Sequence, residues 1–288
     1  MEGLAYTHVD VFAPHPYAGN SLPVFLDGSG LVPFQMQAIT RELRHFEAVF
    51  LTATGIEGTY RARVFDLGDE LDFAGHPIIG AAAALHEAGD RGLSAKWTFE
   101  LAARTVTVET KRGADGFFAD LDQGSASFLS EAGDRRAIAQ AFGLEEGDLD
   151  PRLPAQVVST GLRYLIVPVS SSALARARIR EDITPLLTAA GAEFAVLLDE
   201  DRREVRHWNN DGLIEDVATG SAAGTVGAYR LRYCGAESGR RFHLEQGRFT
   251  GRPSRIEVEP HGHPGEVRSV RVGGHVTIVG GGVLRRLP

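Results

Sequence analysis

Glu47, His76 and Asp216 form the set of side chains in this 288-residue sequence best suited to moving a proton: two carboxylates and an imidazole, sufficient for general acid and base work. Glu47 stands in the stretch RHFEAVFL, 44–51, which reads as a strand. Alternation puts it on one face with Val49 and Leu51, while Phe46, Ala48 and Phe50 take the other. Both faces read as buried. A carboxylate there is costly unless paired, and desolvation raises its pKa towards the range useful for proton transfer. The competing reading is a structural Glu47 at a strand end, paired with one of the many arginines.

His76 and Asp216 lie in two segments that resemble each other, DFAGHPIIGAAAALHEAG (72–89) and DVATGSAAGTVGAYRLRYCG (216–235). Each runs from an aspartate through a turn of glycine and polar residues into a helix of small residues that ends at glycine. Aligning Gly75 with Gly220 separates the copies by about half the chain, the spacing expected of two similar domains. Helices so rich in Ala and Gly can lie deep in a core and allow close backbone approach. Each also starts at a turn whose N–H groups can bind an anion, so two such ends facing one cleft would make a carboxylate site. His76 accompanies the first turn, and Asp216, Thr219 and Ser221 the second. Glycine-rich turns before buried helices are also common as plain structure.

The elements that must position these groups are mostly strands. YTHVDVF and LPVFL precede a helix opened by Pro33, PFQMQAITREL, with Phe34, Met36, Ile39 and Leu43 towards one side. Strands follow at EAVFL, YRARVFD, WTFEL, RTVTVET and GFFADL, and the pattern loosens near 118–130. A second set starts with the helical DRRAIAQAFGL and continues through RYLIVPV, FAVLLD, EVRHWN, RRFHLEQG, RIEVEP and HVTIVG. Strands in short succession with few helices predict an α+β protein rather than a βαβ repeat.

Composition removes several classes of function. The formal net charge of -8 and the lack of a Lys/Arg-rich run argue against a nucleic-acid partner and leave a small molecule. MEGLAYTHVDVF is no secretory leader, and no segment reads as spanning a membrane, so a cytoplasmic protein is expected. A single cysteine, Cys234, excludes an internal disulfide and a Cys-rich zinc site, and reads as a small buried residue near a helix end. The histidines form no metal-ligand pair, and His261 with His263 reads as a polar turn. Of the two lysines, Lys96 opens KWTFEL and Lys111 falls in the turn KRGADG; neither suits a pyridoxal phosphate Schiff base. No phosphate-binding glycine motif is present, so chemistry without cofactor or metal is expected.

The chain resembles the PhzF-like family of phenazine biosynthesis, related in fold to diaminopimelate epimerase. The resemblance rests on five segments in family order: VDVFAPHPYAGNSLPVF, MQAITRELRHFEAVFL, LDFAGHPIIGAAAAL, IEDVATGSAAGTVGAY and LEQGRFTGRPSRI. It implies two similar α+β domains, each a strand-rich half-barrel around a central helix, with the active site in the cleft between them. The domains would take residues 1–118 plus 272–288 and residues 119–271, the last strand returning to the first domain. It also implies a homodimer, and a biosynthetic role of the kind that serves secondary metabolism and antibiotic production.

Carried over by position, the resemblance makes Glu47 the proton-shuttling acid/base, with His76 and Asp216 as its polar partners. Gly75, His76, Gly220 and Ser221, with Asn20 of the GN turn, would hold a substrate carboxylate. The two cysteines of the related epimerases are replaced by Ala74 and Val217, which removes a two-thiol mechanism. Phe46 stands where the family commonly has serine, and Val217 where it has proline, both beside the expected catalytic groups; the bulky Phe46 would alter the hydrogen bonding of Glu47 and reshape the pocket for a substrate unlike the aromatic precursor of phenazines. The expected activity is cofactor-independent isomerisation, a proton and a double bond shifting on a small unsaturated carboxylate. A racemase or epimerase of an amino or imino acid, and a non-catalytic metabolite-binding protein, are the alternatives.

Overall fold

The computed structural model describes residues 3–72, 74–89 and 91–288. These fall into two compact units, residues 1–122 with 273–288 and residues 123–272. In the first unit the order is β1 (Leu4–Val11), β2 (Asn20–Phe25), α1 (Pro33–Leu43), β3 (Glu47–Ala53), β4 (Thr59–Asp66), β5 (Glu70–Leu71), α2 (Gly75–Ala88), β6 (Ser94–Glu100), β7 (Thr105–Arg112) and β8 (Phe117–Asp122). The strands arise where apolar residues alternate. In β7, Val106, Val108 and Thr110 are buried, while Thr105 and Glu109 face outwards.

Helix α2 is apolar on all sides, and its residues from Gly75 to His86 are buried. Such a helix is stable only inside a core. It packs against β1, β2, β3, β6, β7 and β8. Gly80 permits that approach, since a Cβ there would stand 2.7 Å from Leu22 and 3.0 Å from both Val9 and Val11. Helix α1 lies on the other side of the strands, where Met36 and Ile39 pack with Phe25, Ala48, Phe50 and Phe65. Phe34, expected on that packed side, is 74% exposed. It precedes Met36 by two residues, about 200° round the helix, and so points away from the side that Met36 buries.

The second unit contains β9 (Ser127–Glu131), α3 (Arg135–Ala141), β10 (Gln156–Ser159), β11 (Arg163–Pro168), α4 (Ser171–Arg176), α5 (Thr184–Ala190), β12 (Phe194–Asp199), β13 (Glu204–His207), α6 (Gly220–Tyr233), β14 (Phe242–Gln246) and β15 (Ser254–His263). The last strand, β16 (Glu266–Leu284), groups with this unit up to Val272 and with the first unit from Gly273. Its later part pairs antiparallel with β1, from Leu4 opposite Leu284 to Val11 opposite Val276. In the first unit β16 also neighbours β8, so the run β1–β2–β3–β4–β6–β7–β8 closes on itself through β16 around α2. In the second unit the ladder runs β16–β15–β14–β13–β12–β11–β10–β9, and the chain just before β9 bonds back to β16 through Gln123 and Ala126.

Both units follow one plan. Parallel pairs joined by helices, β2–β3 across α1 and β4–β6 across α2, correspond to β11–β12 across α4 and α5 and to β13–β14 across α6. The remaining pairings along β1–β4 and β6–β8, and along β9–β15, are antiparallel. This mixed α+β architecture explains the weak internal repeat. Helices α2 and α6 each have 14 residues and start at the aligned glycines, Gly75 and Gly220.

Other local expectations change. The loosened stretch near 118–130 holds β9, whose residues are mostly exposed and so show no apolar alternation. Lys111 belongs to β7 rather than a turn, and His261 and His263 lie within β15, because a strand on the surface reads like a polar loop. Cys234 caps the C-terminus of α6 but is half-buried, and that burial, helped by Glu200, pushes its thiol up to about 12.

Candidate functional site

In the first unit, the sequence places Glu47 at the first position of β3, opposite Asp66 of β4. Strand alternation aims it to the same face as Val49. His76 is the second residue of α2, and its Nε2 lies 3.4 Å from Oε2 of Glu47. The side chains are 8% and 14% exposed respectively. At this separation a protonated imidazole and a carboxylate form an ion pair, and low exposure limits its screening by solvent. A histidine of α2 thus stands within ion-pair distance of Glu47.

Asn20 opens β2 and is 2% exposed. Because β2 and β3 run parallel, Asn20 and Glu47 begin their strands at the same end of the first unit. Ala74 precedes α2 in an extended conformation and provides no side-chain cap. The first-turn N–H groups, Gly75 among them, have no intrahelical carbonyl to bond. Nearby, Asp10 is buried and accepts the Tyr17 N–H at 2.7 Å, holding Tyr17 at φ 65° in the loop that leads to Asn20.

In the second unit, Asp216 is buried just ahead of α6. Its N–H donates to the His207 carbonyl at 2.9 Å, and its Oδ2 accepts the Thr219 hydroxyl at 2.5 Å. Gln246 completes this arrangement. Its Oε1 accepts the Thr219 N–H at 3.0 Å, while its Nε2 donates to the Asp216 carbonyl and to Thr219 Oγ1, both at 3.0 Å. Gly247 follows at φ 81°, where a Cβ would run into the carbonyls of Arg252 and Val217. Next to Asp216, Glu215 receives both arms of Arg206 at 2.8 and 2.7 Å. The Arg206 guanidinium stacks between Trp208 and Phe249 at 4.3 and 4.2 Å.

Gly220 and Ser221 are the first two residues of α6. The Gly220 carbonyl accepts the Gln123 amide at 2.9 Å. Ser221 is half-buried, with its Oγ 2.8 Å from the Tyr164 hydroxyl. The Tyr164 ring meets His207 edge-on at 5.6 Å. His207 Nδ1 is 2.8 Å from the Ala195 carbonyl, which only accepts, so that nitrogen carries the proton. Burial pushes the His207 pKa down, against the opposing charge of Asp216 and the Ala195 bond.

The structure thus brings Glu47 and His76 together at the end where Asn20 lies, and Asp216 together with Thr219 beside the start of α6. Sequence reasoning missed Gln246, Arg206 and Tyr164 as organisers. Gln246 carried a signal, since it stands in LEQGRFTGRPSRI; Tyr164 sat in RYLIVPV, an ordinary buried strand by pattern. Among the described residues no group of three His, Cys, Asp or Glu side chains is arranged to hold a metal ion, and no helix is long and apolar enough to cross a membrane.

Comparison with known proteins gives these features a context. The family model described as phenazine biosynthesis-like protein matches residues 9–282. Trans-2,3-dihydro-3-hydroxyanthranilate isomerase of Pseudomonas fluorescens is 29% identical over 286 residues, covering 97% of this chain and 98% of its own. The structure of a predicted epimerase from Pseudomonas aeruginosa is 47% identical with a TM-score of 0.92, over 98% of this chain and 99% of that one. A PhzF-family protein of Bacillus anthracis is 28% identical with a TM-score of 0.86, over 99% and 100% of the two chains.

Proposed function

Because the chain belongs to the phenazine biosynthesis-like family, we propose that it shifts a proton, and with it a double bond, on a small unsaturated carboxylate, using Glu47 as the acid/base. It is an isomerase. The observation that supports the finer reading is the Glu47–His76 pair, a carboxylate and an imidazole 3.4 Å apart and mostly out of water. In the proposed reaction the Glu47 carboxylate takes a proton from a carbon next to a conjugated system. The C–H electron pair becomes a π bond as the existing one migrates. The far carbon then takes the proton back from the Glu47 carboxyl. Atoms and electrons all stay in the substrate, so the step as drawn needs no oxidant or reductant.

His76 is assigned to orienting Glu47, and Asp216 to fixing the start of α6 with Thr219 and Gln246. Gly75 and Asn20 in the first unit, and Gly220 and Ser221 in the second, are assigned to carboxylate groups, which the dipole at a helix start favours. The correspondence of the two units favours one base over two. Where Glu47 opens β3, Phe194 opens β12, and the counterpart of His76 is Ser221. A racemase normally needs an acid/base on each face of the carbon; neither Phe194 nor Ser221 is suited to that, and the carboxylate of Asp216 is already engaged by the Thr219 hydroxyl. A homodimer in the cytoplasm is part of the same proposal, and light scattering on purified protein tests the dimer.

The main test is turnover in D₂O of a panel of conjugated cyclic acids that includes trans-2,3-dihydro-3-hydroxyanthranilate, followed by NMR. Double-bond migration, with deuterium entering where Glu47 exchanges with solvent, is the expected result. Inversion of a stereocentre without migration would overturn the reading in favour of an epimerase.

A further inference from the structure

We infer that Tyr164 is a positioning residue for Ser221: its hydroxyl donates to Ser221 Oγ and so turns the serine proton towards a bound carboxylate. The inference rests on the proposed role of Ser221 above and adds the group that makes that role possible.

A serine hydroxyl has one proton and two lone pairs. If Ser221 spends its proton on Tyr164, it presents only lone pairs elsewhere and repels an anion. If Tyr164 is the donor, the serine proton is available and the anion is attracted. The direction of one 2.8 Å hydrogen bond therefore decides the sign of the interaction. A phenol is the more acidic of the two hydroxyls and the better donor. The relay from phenol to serine to carboxylate also strengthens each bond by polarising the next.

The surroundings hold Tyr164 in place for this task. It lies on β11 and is 2% exposed. Its ring is tilted against Phe194 at 5.4 Å and meets His207 edge-on at 5.6 Å. His207 in turn meets Phe194 edge-on at 5.9 Å and is anchored to the Ala195 carbonyl. The aromatic packing alone would be served by phenylalanine. The hydroxyl is the part of the residue that faces Ser221.

The competing account has Ser221 merely satisfying a buried phenol. Three variants separate the two: Tyr164→Phe, Ser221→Ala and the double variant, each with kcat, KM and thermal midpoint measured on the acid of the panel that the wild type turns over. A positioning role predicts that Tyr164→Phe raises KM about 3- to 10-fold with kcat within about 2-fold, the signature of lost uniform binding. Ser221→Ala should raise KM at least as much, and the double variant should match Ser221→Ala within about 2-fold. The competing account predicts an unchanged KM for Tyr164→Phe, and a midpoint lowered by Ser221→Ala and restored in the double variant. That pattern, or effects on KM that multiply, would overturn the inference. A wild type that turns over no acid in the panel removes the functional reading and this inference with it, whereas an active wild type with a normal Tyr164→Phe KM removes the inference alone.

Discussion

Oε2 of Glu47, on the first residue of β3, and Nε2 of His76, on the second residue of α2, stand 3.4 Å apart. A strand end and a helix start meet here as two titratable groups, each with little access to water. Because α2 is buried from Gly75 to His86, the position of His76 is set by the packing of the whole helix.

Glu47→Gln should keep the fold and the binding of ligand, because the amide is nearly isosteric, yet lose about 10²- to 10⁴-fold in rate. Stopped-flow turnover together with ligand titration checks this. If Glu47 is structural, the variant loses stability instead and its folded fraction remains active.

Gly224→Ala should destabilise the protein by about 1–3 kcal/mol. A Cβ at 224 would collide with the side-chain amide of Gln123, which is buried and holds both the Gly220 carbonyl and the Thr160 hydroxyl. The gain in helix propensity over glycine offsets only about 1 kcal/mol of that. Urea denaturation of the two proteins gives the difference directly.

Acid should weaken the fold through His207. Its folded pKa lies below the ordinary value of 6.5, so the unfolded chain takes up this proton first. The contribution is fully present above pH 6.5 and is lost as pH falls from there towards the folded pKa, by at most about 1.4 kcal/mol per pH unit for one proton. Urea midpoints measured from pH 7.5 to 5 should fall less steeply in His207→Gln than in the wild type. Equal slopes would show that His207 is not a source of the acid sensitivity.

Arg206→Ala should cost about 3–5 kcal/mol, because it strands Glu215 without its bidentate partner and opens the space between Trp208 and Phe249. Since Glu215 adjoins Asp216, folded Arg206→Ala protein should also show lower activity. Denaturation and turnover under native conditions separate the two effects.

The architecture was legible where local pattern and tertiary role agree. Pro33 and the spacing of Met36 and Ile39 predict α1 at its observed limits, and FAVLLD predicts β12 at its limits. The small-residue repeats predict α2 and α6, because a helix that must lie inside a sheet needs residues such as Gly80 and Gly224. Short or exposed elements were not legible. QVVS, at four residues, is too short to show a period, and SFLSE has no apolar face to show. In the site, Glu47 stood out as a carboxylate in an apolar run. Tyr164 and Gln246 did not, since they reach Ser221 and Thr219 across 57 and 27 residues of chain, and such partners leave no mark on local periodicity.

The pairing of Leu4 with Leu284 also sets an order of events during synthesis. Residues 123–272 are contiguous and can assemble on the ribosome as soon as they emerge, whereas β1 must wait with one edge unpaired until Gly273 and the residues after it have been made. The strand that opens the first unit is thus among the last to be completed. A chain truncated before Gly273 would display that edge permanently, which makes residues 273–288 a safeguard against strand-to-strand aggregation as well as part of the fold.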